Sequence, residues 1–212
     1  MEPHQPTTDR AGKRRRGDSE PMDAAWLEGK AIDYAANWET TERGLASLLE
    51  RKIRERCDRT NEASESALDL ISEVVEKLVA HKFVDDRRAA DQLFERLERQ
   101  GRSRAQIRAR LLAKGVPESM AAEMTRDEGP ETTQSELRAA WKIARKRRLG
   151  PHSRDPEQRA ADRDRHLGIL ARQGFPSEIA YQVVDAELDD DVNAELDAKD
   201  DANEGARVAE GP

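Results

Sequence analysis

Cysteine is almost missing from this chain. Cys57 is the only one in 212 residues, which excludes a disulfide framework and a cysteine-based zinc site. The four histidines, His4, His81, His152 and His166, stand far apart and show no ligand spacing, so no metal and no cofactor are expected. No apolar run approaches the roughly 20 residues needed to span a bilayer, and the first residues contain no apolar signal core. The expectation is a cytoplasmic protein with no membrane contact. Stretches that alternate apolar with polar residues and are rich in β-branched side chains are also missing, so no sheet is predicted. No nucleophile–base set, phosphate loop or carboxylate pair for acid–base work appears, and the chain is not expected to be an enzyme.

What remains is a surplus of Ala, Leu, Glu and Arg, all good helix formers. Hydrophobic residues make up 36% and charged residues 38%, a balance that suits helices burying one face each better than one deep core. The fold class is therefore all-α.

Charge is unevenly placed. The chain carries −7 overall, yet Asp185 to the end holds 11 acidic residues against Lys199 and Arg207, a net −9 that leaves +2 for the rest. The stretch 85–173 has 21 Lys and Arg against 15 Asp and Glu. A mildly basic body thus carries an acidic tail.

Residues 1–22 combine three prolines, a basic cluster and almost nothing apolar, and are expected to be a disordered basic arm. Lys13 to Arg16 belong to that arm rather than to an import signal. Residues 189–212 are expected to be a disordered acidic tail, plainly solubilising rather than a partner-facing or self-shielding element. Between them apolar residues recur at helical spacing. Segments 31–38 and 42–56 open the series, and a strong helix begins near Ser66 with Leu68, Ile71, Val74, Val75, Leu78 and Val79. The next starts at Asp85-Asp86 and carries Ala89, Ala90, Leu93, Phe94 and Leu97. Ser103 caps a helix with Ile107, Leu111 and Leu112, closed by Gly115. Ser135 is the predicted cap of a helix with Leu137, Ala140, Trp141 and Ala144, stopped by Gly150-Pro151. Leu167, Leu170, Ile179, Val183 and Val184 complete the series.

A repeat runs through this pattern. RLLAKGVPESMAAEM (110–124) and ILARQGFPSEIAYQV (169–183) align at an offset of 59 residues, with Leu111 on Leu170, Gly115 on Gly174, Pro117 on Pro176 and Met120 on Ile179. Each copy reads as an amphipathic helix, a glycine stop, a buried apolar residue and a proline opening the next helix. A weaker copy places Thr41, Leu45, Leu49 and Lys52 on Ser103, Ile107, Leu111 and Lys114, with Ile53 where the glycine would stand. The predicted architecture is an elongated, curved array of tandem three-helix repeats, 23–84, 85–130 and 131–188.

The FVDD at 83–86, the run SRAQIRARLLAKGV at 103–116 and the ending LARQGFPSEIAYQVV at 170–184, in that order and spacing, resemble the RecX family over residues 30–188. The resemblance implies three-helix repeats without catalytic activity. It implies binding in the groove of the RecA–DNA filament, with inhibition of strand exchange, ATPase and coprotease activity in DNA repair and the SOS response. The partner is then the RecA filament, with DNA contacted directly or within it, and the protein is expected to act as a monomer. Ile53 in the glycine position, the longer polar loop 58–66 and the acidic tail depart from the family pattern.

The candidate partner-binding residues are cationic. Arg138, Lys142, Arg145 and Lys146 follow i, i+4, i+7 and i+8 spacing and share one side of a helix beside an inward Leu137, Trp141 and Ala144. Such a stripe suits phosphates or an acidic protein groove, and equally an ordinary solvated face. Arg108 and Arg110 flank the Ile107–Leu111 stripe, with Arg104 and Lys114 in line with it. Arg165 and Arg172 share a face one unit later. Gly115-Val116-Pro117 also looks like a helix-turn-helix corner, but the helix after it (118–126) offers Glu118 and Glu123 and no Asn or Gln, a poor base reader. His166 sits on an apolar stripe as a packed histidine, and Asp85-Asp86 is a helix-start device. The rival readings are a helical DNA-binding module without a recombinase partner, and a helical-repeat scaffold for another protein.

Overall fold

The computed structural model describes residues 21–60, 65–153 and 155–187. They form two compact units divided between Ala89 and Ala90, and the described residues contain helices and no strand.

The first unit is built on α1 (Ala24–Ala35), α2 (Glu42–Thr60), α3 (Glu65–Asp69) and α4 (Ile71–Ala80). Leu27, Ala31, Leu45, Leu48, Leu49, Ile53, Val74 and Leu78 fill one core, with Val84 closing it. Burying aliphatic side chains of this size is favourable by about 1.5–3 kcal/mol each. Thr41 caps α2 by accepting from the Gly44 amide at 2.9 Å. Because Ile53 replaces the glycine stop, α2 runs on to Thr60 with Ile53 and Arg56 facing inward. Arg56 is 1% exposed, and its guanidinium lies 5.0 Å over the Trp26 ring.

Several boundaries differ from the sequence reading. The first helix is Ala24–Ala35, not 31–38, since the Asp23 carboxylate caps it from the Trp26 amide. Met22, assigned to the basic arm, packs against the first core. The remaining arm residues, 1–20, and the acidic tail from 188 lie outside the described residues. The strong helix near Ser66 is two pieces broken at Leu70, which leaves Leu68 exposed.

The remaining helices are α5 (Asp86–Arg99), α6 (Arg104–Ala113), α7 (Glu118–Met124), α8 (Pro130–Arg147), α9 (Pro156–Ala161), α10 (Arg163–Arg172) and α11 (Ser177–Asp185). A 3₁₀ turn, Gly150–His152, follows α8. The second unit holds two groups of buried side chains. Ala90, Leu97, Ile107, Leu111, Val116 and Ala121 gather around α5–α7. Ala140, Trp141, Ala144, Leu170, Phe175, Ile179 and Val183 gather around α8, α10 and α11.

The two clear copies of the repeat share one geometry. Gly115 and Gly174 have φ of 89° and 81°, the left-handed region that glycine enters without strain. The Val116 amide donates to Leu111 O and the Phe175 amide to Leu170 O, at 3.1 and 3.2 Å. Helices α4 and α8 end in the same way with cations in place of glycine: Lys82 at φ 59° and Arg148 at φ 57°, with Phe83 N bonded to Leu78 O and Leu149 N to Ala144 O. Helix α8 therefore stops at Arg148, before Gly150-Pro151. Its start also differs from expectation. Gly129 and Pro130 open it five residues ahead of Ser135, and the Ser135 hydroxyl donates to Glu98 instead of capping.

Asp85 and Asp86 do different work. Asp85 accepts from the Arg88 amide within its own helix start, and that bond holds its carboxyl below the usual range. Asp86 accepts from the Glu42 amide at 2.8 Å and so caps α2.

Candidate functional site

Helix α8 turns Ala139, Ala140, Trp141 and Ala144 into the core and leaves Arg138, Arg145 and Lys146 exposed. The amphipathic reading of this helix therefore holds for its two faces. Lys142 behaves differently. It is half-buried, and its stem crosses Gly101 so closely that a Cβ there would meet Lys142 Cδ at 3.1 Å. A lysine can lay its methylenes on a neighbour while the ammonium reaches water. Arg147 and Arg148 are exposed as well and make the end of the helix basic, although at 100° per residue Arg147 stands on the side opposite Arg138. That extension was legible in the run Arg145–Arg148 but lay outside the i, i+4 template.

The second candidate set divides. Arg108, Arg110 and Lys114 are exposed, and Arg108 reaches Glu118 at 3.5 Å. Arg104 is half-buried and engaged within the fold. It donates to Met124 O at the end of α7, and its guanidinium sits 5.7 Å over the Phe94 ring. Arg165 and Arg172 are exposed on α10, with Arg165 3.7 Å from Asp162.

The start of α6 is a polar junction that spacing could not reveal. The Ser103 hydroxyl accepts from the Gln106 amide and donates to Gln173 O. Gln106 Nε2 donates to Gln173 Oε1 at 3.1 Å. Both oxygens of buried Glu136 accept from the Arg104 amide, at 3.1 and 3.3 Å. Burial pushes the Glu136 carboxyl up, opposed by that bond and by the Arg104 charge. Gly174 fits only because it has no side chain, since a Cβ would lie 2.9 Å from Ala105 Cβ and 3.0 Å from Ser103 Oγ.

The histidines of this unit are packed groups. His166 is 5% exposed, and its Nδ1 accepts from the Gly150 amide at 3.1 Å. His152 meets Trp141 edge to face at 5.7 Å. Burial lowers the basicity of both rings, and the Arg145 charge lowers that of His152 further. Among the described residues, no three His, Cys, Asp or Glu side chains are grouped to hold a metal. No helix among them is long and apolar enough to cross a membrane.

The first unit adds a feature that the sequence reading did not single out. Trp38 is 66% and Phe83 47% exposed. One guanidinium serves the segments of both, as Arg88 donates to the Glu39 carboxylate at 2.7 Å and to Phe83 O at 3.3 Å. Exposed Arg43, Lys82 and Arg87 belong to the same segments.

No family model matches the chain, and no solved structure matches it. Curated proteins do. The chain is 31% identical over 176 residues to the regulatory protein RecX of Myxococcus xanthus, covering 82% of this chain and 93% of that protein. It is 32% identical over 168 residues to the regulatory protein RecX of Mycolicibacterium vanbaalenii, covering 74% and 90%. A third relative of the same name, from Amycolatopsis mediterranei, is 40% identical over 103 residues, covering 49% of this chain and 55% of its own length. With its motifs, its helical fold and nearly the whole length of two relatives in agreement, the chain belongs to the RecX family of regulatory proteins.

Proposed function

We propose that this protein binds the RecA recombinase filament in the cytoplasm and restrains its strand exchange, ATP hydrolysis and coprotease activity by occupancy, without chemistry of its own. Family membership supports the partner. The observation that carries the contact surface is the exposed basic face of α8, Arg138, Arg145 and Lys146, with Arg147 and Arg148 at the helix end, opposite a buried Trp141 face. A cationic ridge on a rigid helix complements an acidic groove or bound phosphates and speeds encounter at low salt. Arg108, Arg110, Lys114, Arg165 and Arg172 extend the cationic surface of this unit. Lys142 supports the face through its stem over Gly101, and the Arg104 amide holds Glu136 of the same helix.

The test is RecA-driven ATP hydrolysis on single-stranded DNA. Changing Arg138, Arg145, Lys146 and Arg147 together to Gln should weaken inhibition about tenfold or more, and should flatten its salt dependence, because each lost contact removes a screened charge. Helix content should stay at the parent level. Full inhibition by the variant would reduce this face to a solvated surface.

A second reading rests on Trp38 and Phe83. Exposed rings beside cations suit base stacking, which is worth about 1–3 kcal/mol per base, and would let the first unit touch single-stranded DNA directly. Loss of oligonucleotide binding in a Trp38→Ala variant, with RecA inhibition intact, would favour that reading.

A further inference from the structure

The C-terminal end of α8 and the exit of the acidic tail are built into one corner. The 3₁₀ turn after α8 presses on α11 so tightly that a Cβ on Gly150 would lie 2.8 Å from Val184 Cα and 2.9 Å from Val184 O. Gly150 is two residues from Arg148, and Val184 is one residue from the end of α11. Two arginines pin the chain as it leaves. Arg159 donates to Val184 O and Ala186 O, and Arg163 makes a two-pronged bond to Asp185 at 2.7 Å for each prong. Beyond Glu187 the chain carries nine acidic residues against Lys199 and Arg207. The last described residue, Glu187, follows Val184 by three residues, and Arg148 precedes Gly150 by two.

We infer that the acidic tail, residues 188–212, docks on the basic C-terminal end of α8 and competes there with the partner proposed above. The inference rests on that reading for its consequence, though not for the contact itself. Cations in a last helical turn do complement the helix dipole, but that effect is confined to the turn, whereas the basic face runs back to Arg138. From Arg148 to Arg138 is roughly 15 Å at 1.5 Å per residue. A tail that can extend roughly 3.3 Å per residue covers that distance with a few of its residues. Tethering at a fixed exit sets a local concentration of about millimolar, so individually weak, screened ion pairs suffice for partial occupancy. The tail then acts as a salt-sensitive competitor that only a denser negative charge, or a better-shaped one, displaces.

The test keeps the full chain. Asp189, Asp190, Asp191, Glu195 and Asp197 are changed to their amides, and binding of a fluorescein-labelled single-stranded oligonucleotide is measured. At low salt the neutralised tail should tighten binding about three- to tenfold. The gain should vanish in a chain that also carries Arg138, Lys146, Arg147 and Arg148 changed to Gln. Unaltered binding, or an equal gain in both backgrounds, overturns the inference, the latter because the tail would then act by general repulsion. If the oligonucleotide binds neither protein, the proposed contact surface is at fault for nucleic acid, and the docking is read separately. A nitroxide on Ala206→Cys in a Cys57→Ser chain should broaden the amide resonances of Arg145–Arg148 at low salt and release them at high salt. Sharp resonances under both conditions overturn the inference.

Discussion

The two units hold themselves together differently. In the first, α1, α2 and α4 meet mainly through aliphatic side chains, with Arg56 buried over Trp26, and caps from Asp23, Thr41 and Asp86 and the Lys77–Glu28 pair lie at the edge. In the second, two apolar groups are joined by a polar seam of Ser103, Gln106, Gln173 and Glu136. Hydrocarbon packing is non-directional and tolerates small shifts. A buried carboxylate does not, because displacing α6 would leave Glu136 buried without its amide donor. The second unit therefore has one way to assemble, and it is the unit that presents the basic face of α8.

The largest expected effect breaks the seam. Gly174→Ala meets Ala105 and Ser103 and also forces an alanine into φ 81°. Overpacking and left-handed strain together should cost about 2–4 kcal/mol. The same change at Gly115, φ 89°, should cost about 1–2 kcal/mol from strain. Urea unfolding followed by tryptophan fluorescence measures both. Hydrogen exchange in α4 should stay at the parent level in both, and a loss of protection there would contradict independence of the first core.

Acid sharpens the comparison next. His166 and His152 are held neutral by burial, so their folded pKa lies below the unfolded one, and the unfolded chain binds more protons between the two values. Stability contributed by the neutral rings is full above the unfolded pKa of roughly 6.5 and is lost as pH falls below it, with a slope of at most about 1.4 kcal/mol per pH unit per group. The second unit should loosen first on acidification, and His166→Gln should flatten the slope. An unchanged slope would remove His166 from the account. Glu136, whose carboxyl is pushed up, acts in the opposite sense at lower pH.

The smallest effect should be equal in the two units. Lys82 and Arg148 occupy left-handed positions that favour glycine, and Lys82→Gly or Arg148→Gly should each stabilise by about 0.5–1 kcal/mol. Thermal unfolding of the single variants checks this, and a loss of stability at either site would mean that its side chain contributes more than its backbone strain costs.

Helix identity was legible because apolar spacing at 3.6 residues does not depend on tertiary partners, as in Ile107–Leu111 and Ile179–Val183. Boundaries failed where the start signal was glycine and proline rather than a hydroxyl, as at Pro130, and where a short polar helix such as α9 has little apolar face. The break at Leu70 lies inside a continuous apolar pattern that gives no sign of it. For the site, residue type placed the cations correctly on surfaces, yet Arg104 and Lys142 are partly taken up by Met124, Phe94 and Gly101. Such engagements join residues far apart in the chain, and no local pattern encodes them. The contacts of Ser103 with Gln173 and of Asp86 with Glu42 escaped for the same reason.

The bond from the Glu42 amide to Asp86 spans 44 residues, and this sets a schedule for synthesis. A ribosome must make Asp86 before α2 receives that cap, which at about 5–20 residues per second leaves the amide waiting roughly 2–9 seconds after Glu42 is joined. Until then α2 is a highly charged helix with only Thr41 at its head and its core partners in α4 still to come. The first unit can thus close as a whole when FVDD leaves the exit tunnel, so that residues 83–86 mark the end of one folding event as well as the start of α5.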